Sequence, residues 1–287
     1  MAPFAAQAAE YTVIGRLSQQ VGPFNTTLDE YNQTGPNGAS DTAEYDDGAY
    51  LDLSASSSID SSGLHAFAHA KFDKTDLFGT SNTYSTNADA TAIVKWNDFI
   101  VTGPAGATTV AISINLFIEG TFDLIGDDTP EGVFPPFTAA GNLSVGIYAS
   151  NQNVGSGQAW TSIQNGVTDS GNNGILTGFN GSMLVSSQTF NVSVNTPFTL
   201  ELSLSAGAGA VGRDNQTFYL ESTTNFNNTL TFATDRPVFN VPAGYTVNSV
   251  EAGILNNAVS VPEPSTILLS LAAIPLLVVF MRKRCST

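Results

Sequence analysis

The sequence predicts an all-β protein: an antiparallel β-sandwich, jelly-roll-like, followed by a C-terminal transmembrane helix. Three observations lead there. Several segments alternate apolar and polar residues with period two, the spacing of a half-buried strand. Gly, Ser, Thr and Asn are abundant while Lys and Glu are scarce, which favours strands and turns over helices. The chain also closes on one uncharged apolar run that stops at three cations.

Taken in order, residues 1–9 read as a signal-peptide remnant or an unstructured start. Ala6-Gln7-Ala8 has the small-x-small form of a cleavage site, with Ala9 or Glu10 opening the mature chain. Residues 10–257 read as the exported sandwich body. Strands are expected over Ala49 to Ser57, Leu64 to Phe72 and Ala90 to Val101. The cleanest alternation is Thr109 to Glu119, where Val110, Ile112, Ile114, Leu116 and Ile118 share one face. Further strands are expected at Leu143 to Ile147, Met183 to Val192, Phe198 to Leu204, Gln216 to Leu220, Leu230 to Phe232 and Thr246 to Ile254. Turns are expected at Asp60 to Gly63, Gly103 to Gly106, Gly126 to Pro130, Asp169 to Gly174 and Asn225 to Asn228. The proline-rich stretch Gly126 to Pro136 is the candidate long loop or domain seam. Residues 258–265 read as a linker, and 266–287 as the membrane segment with its basic tail.

Charge narrows the partners. Only 12% of the residues are charged, and 25 acidic groups face nine basic ones. Three of those nine form the terminal triplet, so the chain ahead of it holds six basic against 25 acidic groups, a formal −19. Such a surface repels nucleic acid and anionic lipid, and no nucleic-acid partner is expected. The single cysteine, Cys285, lies beyond the apolar run, so the body relies on its core and not on disulfides.

The tail is the most informative segment. Ser265 to Met281 carries no charge. As a helix it would be roughly 25 Å long, at the short end of what spans a bilayer. Pro275 within it is tolerated better in a membrane than in water. Arg282, Lys283 and Arg284 are expected to remain cytoplasmic, which places everything before Pro262 outside. Pro262-Glu263-Pro264, the apolar segment Ile267 to Met281 and Arg282-Lys283-Arg284 together resemble the PEP-CTERM sorting signal. The stretches Asn228 to Phe232 and Pro237 to Ser249 resemble sequence commonly found just upstream of it. The resemblance implies a Gram-negative bacterium that makes exopolysaccharide. It also implies a membrane protease-transpeptidase partner, exosortase, which recognises the motif and removes the tail.

The body offers little chemistry. His65 and His69 are the only histidines, and on a strand they would lie about 13 Å apart, too far to share a metal ion. No Gly-x-Ser-x-Gly elbow occurs. Glycoside hydrolysis needs only two carboxylates. Glu119, Asp123 and Glu201 lie on or near strands and could serve, but solvent-facing carboxylates explain them more simply. No catalytic residue is assigned, and an enzyme is not expected. Two acidic clusters have the oxygen ligands calcium prefers: Asp41, Glu44, Asp46 and Asp47, and Asp123, Asp127, Asp128 and Glu131. Neither has regular calcium-loop spacing, and Asp123, Asp127 and Asp128 stand as the candidate calcium ligands. Trp160, in a Gly- and Ser-rich stretch, is a candidate sugar-stacking platform, whereas Trp96 alternates with Val94 and reads as core.

The expected function is that of an exported cell-surface or extracellular-matrix protein, processed by exosortase and associated with exopolysaccharide or biofilm. The alternative is a secreted carbohydrate-active enzyme or sugar-binding module on a jelly-roll scaffold. A groove holding paired carboxylates beside exposed aromatics would favour the enzyme.

Overall fold

The computed structural model describes residues 9–260 apart from 37, 62, 75–82, 127–136, 165 and 214–216. The chain begins with β1 (Glu10–Val21), β2 (Phe24–Gly35), β3 (Ala39–Asp46), β4 (Leu51–Asp60), β5 (Gly63–Lys74), β6 (Thr83–Thr102) and β7 (Thr109–Glu119). It continues with β8 (Thr121–Gly126), β9 (Thr138–Ala149), β10 (Gln152–Gln164), β11 (Val167–Gly174), β12 (Ser182–Ser186) and β13 (Phe190–Ser193). It closes with β14 (Pro197–Arg213), β15 (Phe218–Phe232) and four short strands: β16 (Phe239–Asn240), β17 (Thr246–Asn248), β18 (Ile254–Leu255) and β19 (Ala258–Val259).

These strands form two large antiparallel sheets and a separate two-stranded hairpin, β18-β19. One runs β11-β10-β9-β14-β6-β1-β2, with β17 also pairing β6. The other runs β12-β7-β15-β5-β4-β3, with β13 and β16 on β7 and β8 on β15. The fold is all-β, and among the described residues it contains no helix. The sheets lie face to face, as in a β-sandwich, because the central strands bury alternate residues against the opposite sheet. On β7, Val110, Ile112, Ile114, Leu116 and Ile118 are all buried, as their alternation predicts. Ala88, Ala90 and Ala92 on β6 face the same core as Ala66, Ala68 and Ala70 on β5. These small side chains let the central strands of the two sheets approach closely.

Larger side chains fill the space where the sheets diverge. Phe99 meets Trp96, Phe198 and Phe239 at centroid separations of 6.0, 5.6 and 5.5 Å, within the range of favourable ring packing. A second, smaller cluster surrounds Phe218, 4.8 Å from Phe72 and 4.7 Å from Phe137. Polar ties cross between the sheets, from Ser222 and Thr224 on β15 to carbonyls of β9 and β14, and between β2 and β4. The hydroxyls of Tyr31 on β2 and Ser57 on β4 are 2.7 Å apart and buried. Burial pushes the Tyr31 pKa up to about 12, with the Ser57 hydrogen bond opposing. Tyr31 lies across Gly15 of the neighbouring strand, where a Cβ would come within 2.0 Å of its ring, so only glycine fits.

Several expectations need correction. Asp169 to Gly174 is not a turn but the body of β11, an edge strand paired residue by residue with β10. Asn225 to Asn228 is not a turn either. It lies inside β15, which absorbs it as a register shift between Phe226 and Leu230. Met183 to Val192 is interrupted, giving β12 and β13, because Ser187 leaves the ladder. Its N–H donates to the Ile114 carbonyl and its hydroxyl accepts from the Ile114 N–H. The strand expected over Thr246 to Ile254 ends at Asn248, where Ser249 and Asp98 begin a turn. Strands β1, β2, β3, β10 and β11 were not expected at all. Ala258 and Val259, placed in the linker by sequence, pair with Leu255 and Ile254 in a terminal hairpin. The candidate seam from residue 127 to 136, the PEP motif and the membrane segment lie outside the described residues. No helix among the described residues is long and apolar enough to cross a membrane.

The stretch upstream of the tail is firmly attached to the body. Val238, Phe239 and Val247 are buried, and β16 and β17 add to β7 and β6. Asn115, buried on β7, holds this segment through a reciprocal amide pair with Asn240, 3.1 Å in each direction. It also donates to the Pro237 carbonyl at 2.9 Å and accepts from the Ser186 hydroxyl at 2.8 Å. A buried Asn with its amide fully partnered fixes register in a way an apolar residue would not.

Candidate functional site

Pro262, Glu263, Pro264, Arg282, Lys283 and Arg284 lie outside the described residues, but the point of departure toward them is defined. The Ser260 hydroxyl and N–H both donate to the Gly253 carbonyl, at 2.8 and 2.7 Å. These bonds fasten the last described residue to the β18–β19 hairpin.

Of the candidate calcium ligands, Asp123 is exposed on β8 while Asp127 and Asp128 lie outside the described residues. The other acidic cluster is engaged in local structure. Asp47 accepts the N–H groups of Ala49, Tyr50 and Leu51 at 2.9, 2.6 and 2.9 Å, closing the turn between β3 and β4. Burial acts to raise its pKa, but these backbone donors outweigh burial and hold it below the ordinary carboxylate value. Asp41 accepts from Gln33 Nε2 at 2.6 Å, and Asp46 from the Gly48 N–H at 2.7 Å. Among the described residues no three His, Cys, Asp or Glu side chains gather as a metal site. The two histidines on β5 have separate partners. His65 contacts the Asn227 carbonyl and Asp60, and His69 contacts the Thr223 hydroxyl at 3.0 Å. Glu119 and Asp123 are exposed on one sheet, while Glu201 lies on the other, opposite Lys95.

Two concave sites stand out. The first is a cleft of about 390 Å³ where β10 and β11 meet β8 of the opposite sheet and residues 179–181, the loop leading into β12. Trp160 forms its wall and is 40% exposed. Its indole lies across Gly171, directly opposite on β11, and a Cβ there would sit 2.2 Å from the ring. The glycine thus holds the indole flat and leaves it open to water. Phe122 and Phe179 support the cleft by packing on Phe226, 5.6 and 5.7 Å away. Thr121, Thr161, Ser170, Asn172 and Asn180 line it with neutral hydrogen-bonding groups, and its described lining holds no carboxylate or histidine.

The second is a deeper cavity of about 880 Å³ at the end of the sandwich. One sheet contributes Tyr11, Trp96 and Leu202, and the other Leu64, Leu230 and Phe232. The turn at Val250–Gly253 and the end of the terminal hairpin close one side. Asp98 fixes that turn. It accepts the Ser249 hydroxyl and the N–H groups of Val250 and Glu251, the last two at 2.7 and 2.9 Å. The turn in turn places Glu251, whose Oε2 accepts the Asn97 N–H at 3.1 Å. Its Oε1 is shielded from solvent and has no hydrogen-bond partner among the described residues. Burial raises the Glu251 pKa, the Asn97 N–H opposes this, and the charge of Asp98 adds to it. Burial likewise raises the Tyr11 pKa, the Glu251 charge adds to it, and a hydrogen bond with Trp96 works the other way.

Sequence placed Trp160 on the surface and Trp96 in the core, and the structure agrees with both. It gave no sign of Glu251 or Tyr11, which stand outside any motif and become neighbours only through the fold. No family model matches this chain, and no curated protein matches it.

Proposed function

We propose that this is an exported cell-surface or extracellular-matrix protein. In this account a jelly-roll-like body is held at the membrane by a C-terminal helix until exosortase removes the tail. The observation that carries the proposal is the tail itself. Pro262-Glu263-Pro264, an uncharged run of spanning length and Arg282-Lys283-Arg284 follow one another in the order a sorting signal requires. The body is compatible with that route. It is a cysteine-free β-fold with an acidic surface, stable through its core and not dependent on a redox compartment. The mass of the mature protein tests export and processing together.

The body acts, in this account, by contact with exopolysaccharide and not by catalysis. The Trp160 cleft favours this over the enzyme alternative. It offers an exposed indole beside neutral amides and hydroxyls, the composition of a sugar-stacking surface, without a carboxylate pair among its described lining residues. Trp160→Ala is expected to abolish retardation of the protein in gels containing the host's own exopolysaccharide, with unchanged thermal melting. Equal retardation of the variant and the parent would move the contact elsewhere on the surface.

A further inference from the structure

The cavity at the end of the sandwich has features that polysaccharide contact and tail processing leave unused. Its volume, about 880 Å³, falls in the range of pockets that enclose small molecules. Its floor and walls are largely apolar and come from both sheets. Set into them are the carboxylates of Asp60 and Glu251, and one Glu251 oxygen is satisfied by neither solvent nor a described side chain. A buried acceptor left unpaired costs about 1–3 kcal/mol, and more when it is charged. The described lining contains no Lys, Arg or His that could serve as its partner. Tyr11 and Trp96 line the same cavity, and aromatic rings attract cations. The charge on Asp98, which acts on Glu251, is also negative.

We infer that this cavity binds a small organic cation, an apolar body ending in an ammonium group, with Glu251 Oε1 accepting its N–H. The assignment rests on charge complementarity. The site supplies an unpartnered acceptor, negative charge and aromatic rings, and its described lining holds no cation. An ammonium group supplies a donor together with the opposite charge, and a charge-assisted hydrogen bond is about twice as strong as a neutral one. A neutral alcohol would satisfy the oxygen without using the charge, and a carboxylate would be repelled by Glu251 and Asp98. The acidic body would also raise the local concentration of cations. This site is independent of the tail signal and of the Trp160 cleft.

The chain has two tryptophans, so Trp160→Phe leaves Trp96, in the cavity wall, as the only reporter. The full-length chain in lipid nanodiscs, carrying that substitution, would be titrated with cyclohexylammonium, cyclohexanol and cyclohexanecarboxylate while Trp96 fluorescence is followed. The expected result is saturable binding of the ammonium probe, about tenfold tighter than the alcohol, and no binding of the carboxylate. Adding Glu251→Gln should erase the preference for ammonium over alcohol. Glu251→Asp, which withdraws the carboxylate by one methylene, gives the same comparison should the Gln variant fail to fold. Equal affinity for ammonium and alcohol in the parent would overturn the inference, as would ammonium binding that both Glu251 variants leave unchanged. Absence of binding by any probe would also overturn it.

Discussion

Phe99→Ala is expected to lower folding stability by about 3–5 kcal/mol, the range for removing a fully buried aromatic ring. Phe99 is wholly enclosed and joins the two sheets. On its own sheet it packs on Trp96 and Phe198, and across the core it meets Phe232 and Phe239. Neither sheet can close the void alone, because the β6 backbone is hydrogen-bonded to β1 and β14 along most of its length. The loss therefore combines the transfer of the ring with a cavity that cannot collapse. The measurement is the urea midpoint, with an unchanged slope showing that the denatured state is unaffected. Phe24→Ala is the matched control. Phe24 is 74% exposed, so its loss should fall within about 0.5 kcal/mol. Similar midpoints for the two variants would mean that the aromatic cluster does not join the sheets.

Glu263→Ala is expected to leave export intact and to stop processing. The substitution changes neither the apolar run nor the basic triplet, so insertion and orientation should persist. It removes the one charge between two prolines. Each proline fixes its own φ, and Pro264 also biases Glu263 toward an extended backbone. The variant is expected to accumulate at full length in the membrane fraction of the host, with the parent running as the shorter species. Normal processing of the variant would count against recognition through Pro262-Glu263-Pro264.

The all-β class was legible because its signal is periodic. The alternation on β7 is uninterrupted, and each of its apolar residues is buried. Strands were missed where pairing, not composition, makes the strand. Val167 to Gly174 contains Asp, Ser, Asn and Gly, all turn-formers, yet it lies in register along β10. Asn225 to Asn228 reads as a turn for the same reason, and becomes strand because β5 and β8 hold the residues before it on both sides. In β2 most side chains are exposed, so an edge strand gives no alternation to detect.

The two kinds of site differ in the same way. A sorting signal is linear, so its parts are visible in order along the chain. The cavity is assembled from residues far apart in sequence. Glu251 accepts a hydrogen bond from the backbone of Asn97, 154 positions away, and Tyr11 arrives from the first strand. Nothing in the run Ser249-Val250-Glu251-Ala252 marks it as the wall of a cavity. Trp160 falls between these cases. Its Gly- and Ser-rich surroundings signalled exposure, while the role of Gly171 in supporting it becomes visible only once β10 and β11 are paired.

The most direct test of the sorting account is the intact mass of the mature protein from its host, with mapping of its C-terminal peptide. The account predicts a terminus near Pro262, loss of the segment from Ile267 to Met281, and any added mass identifying what the body is joined to. A chain ending at Thr287 would contradict it, and would make the protein an unprocessed, single-span membrane protein.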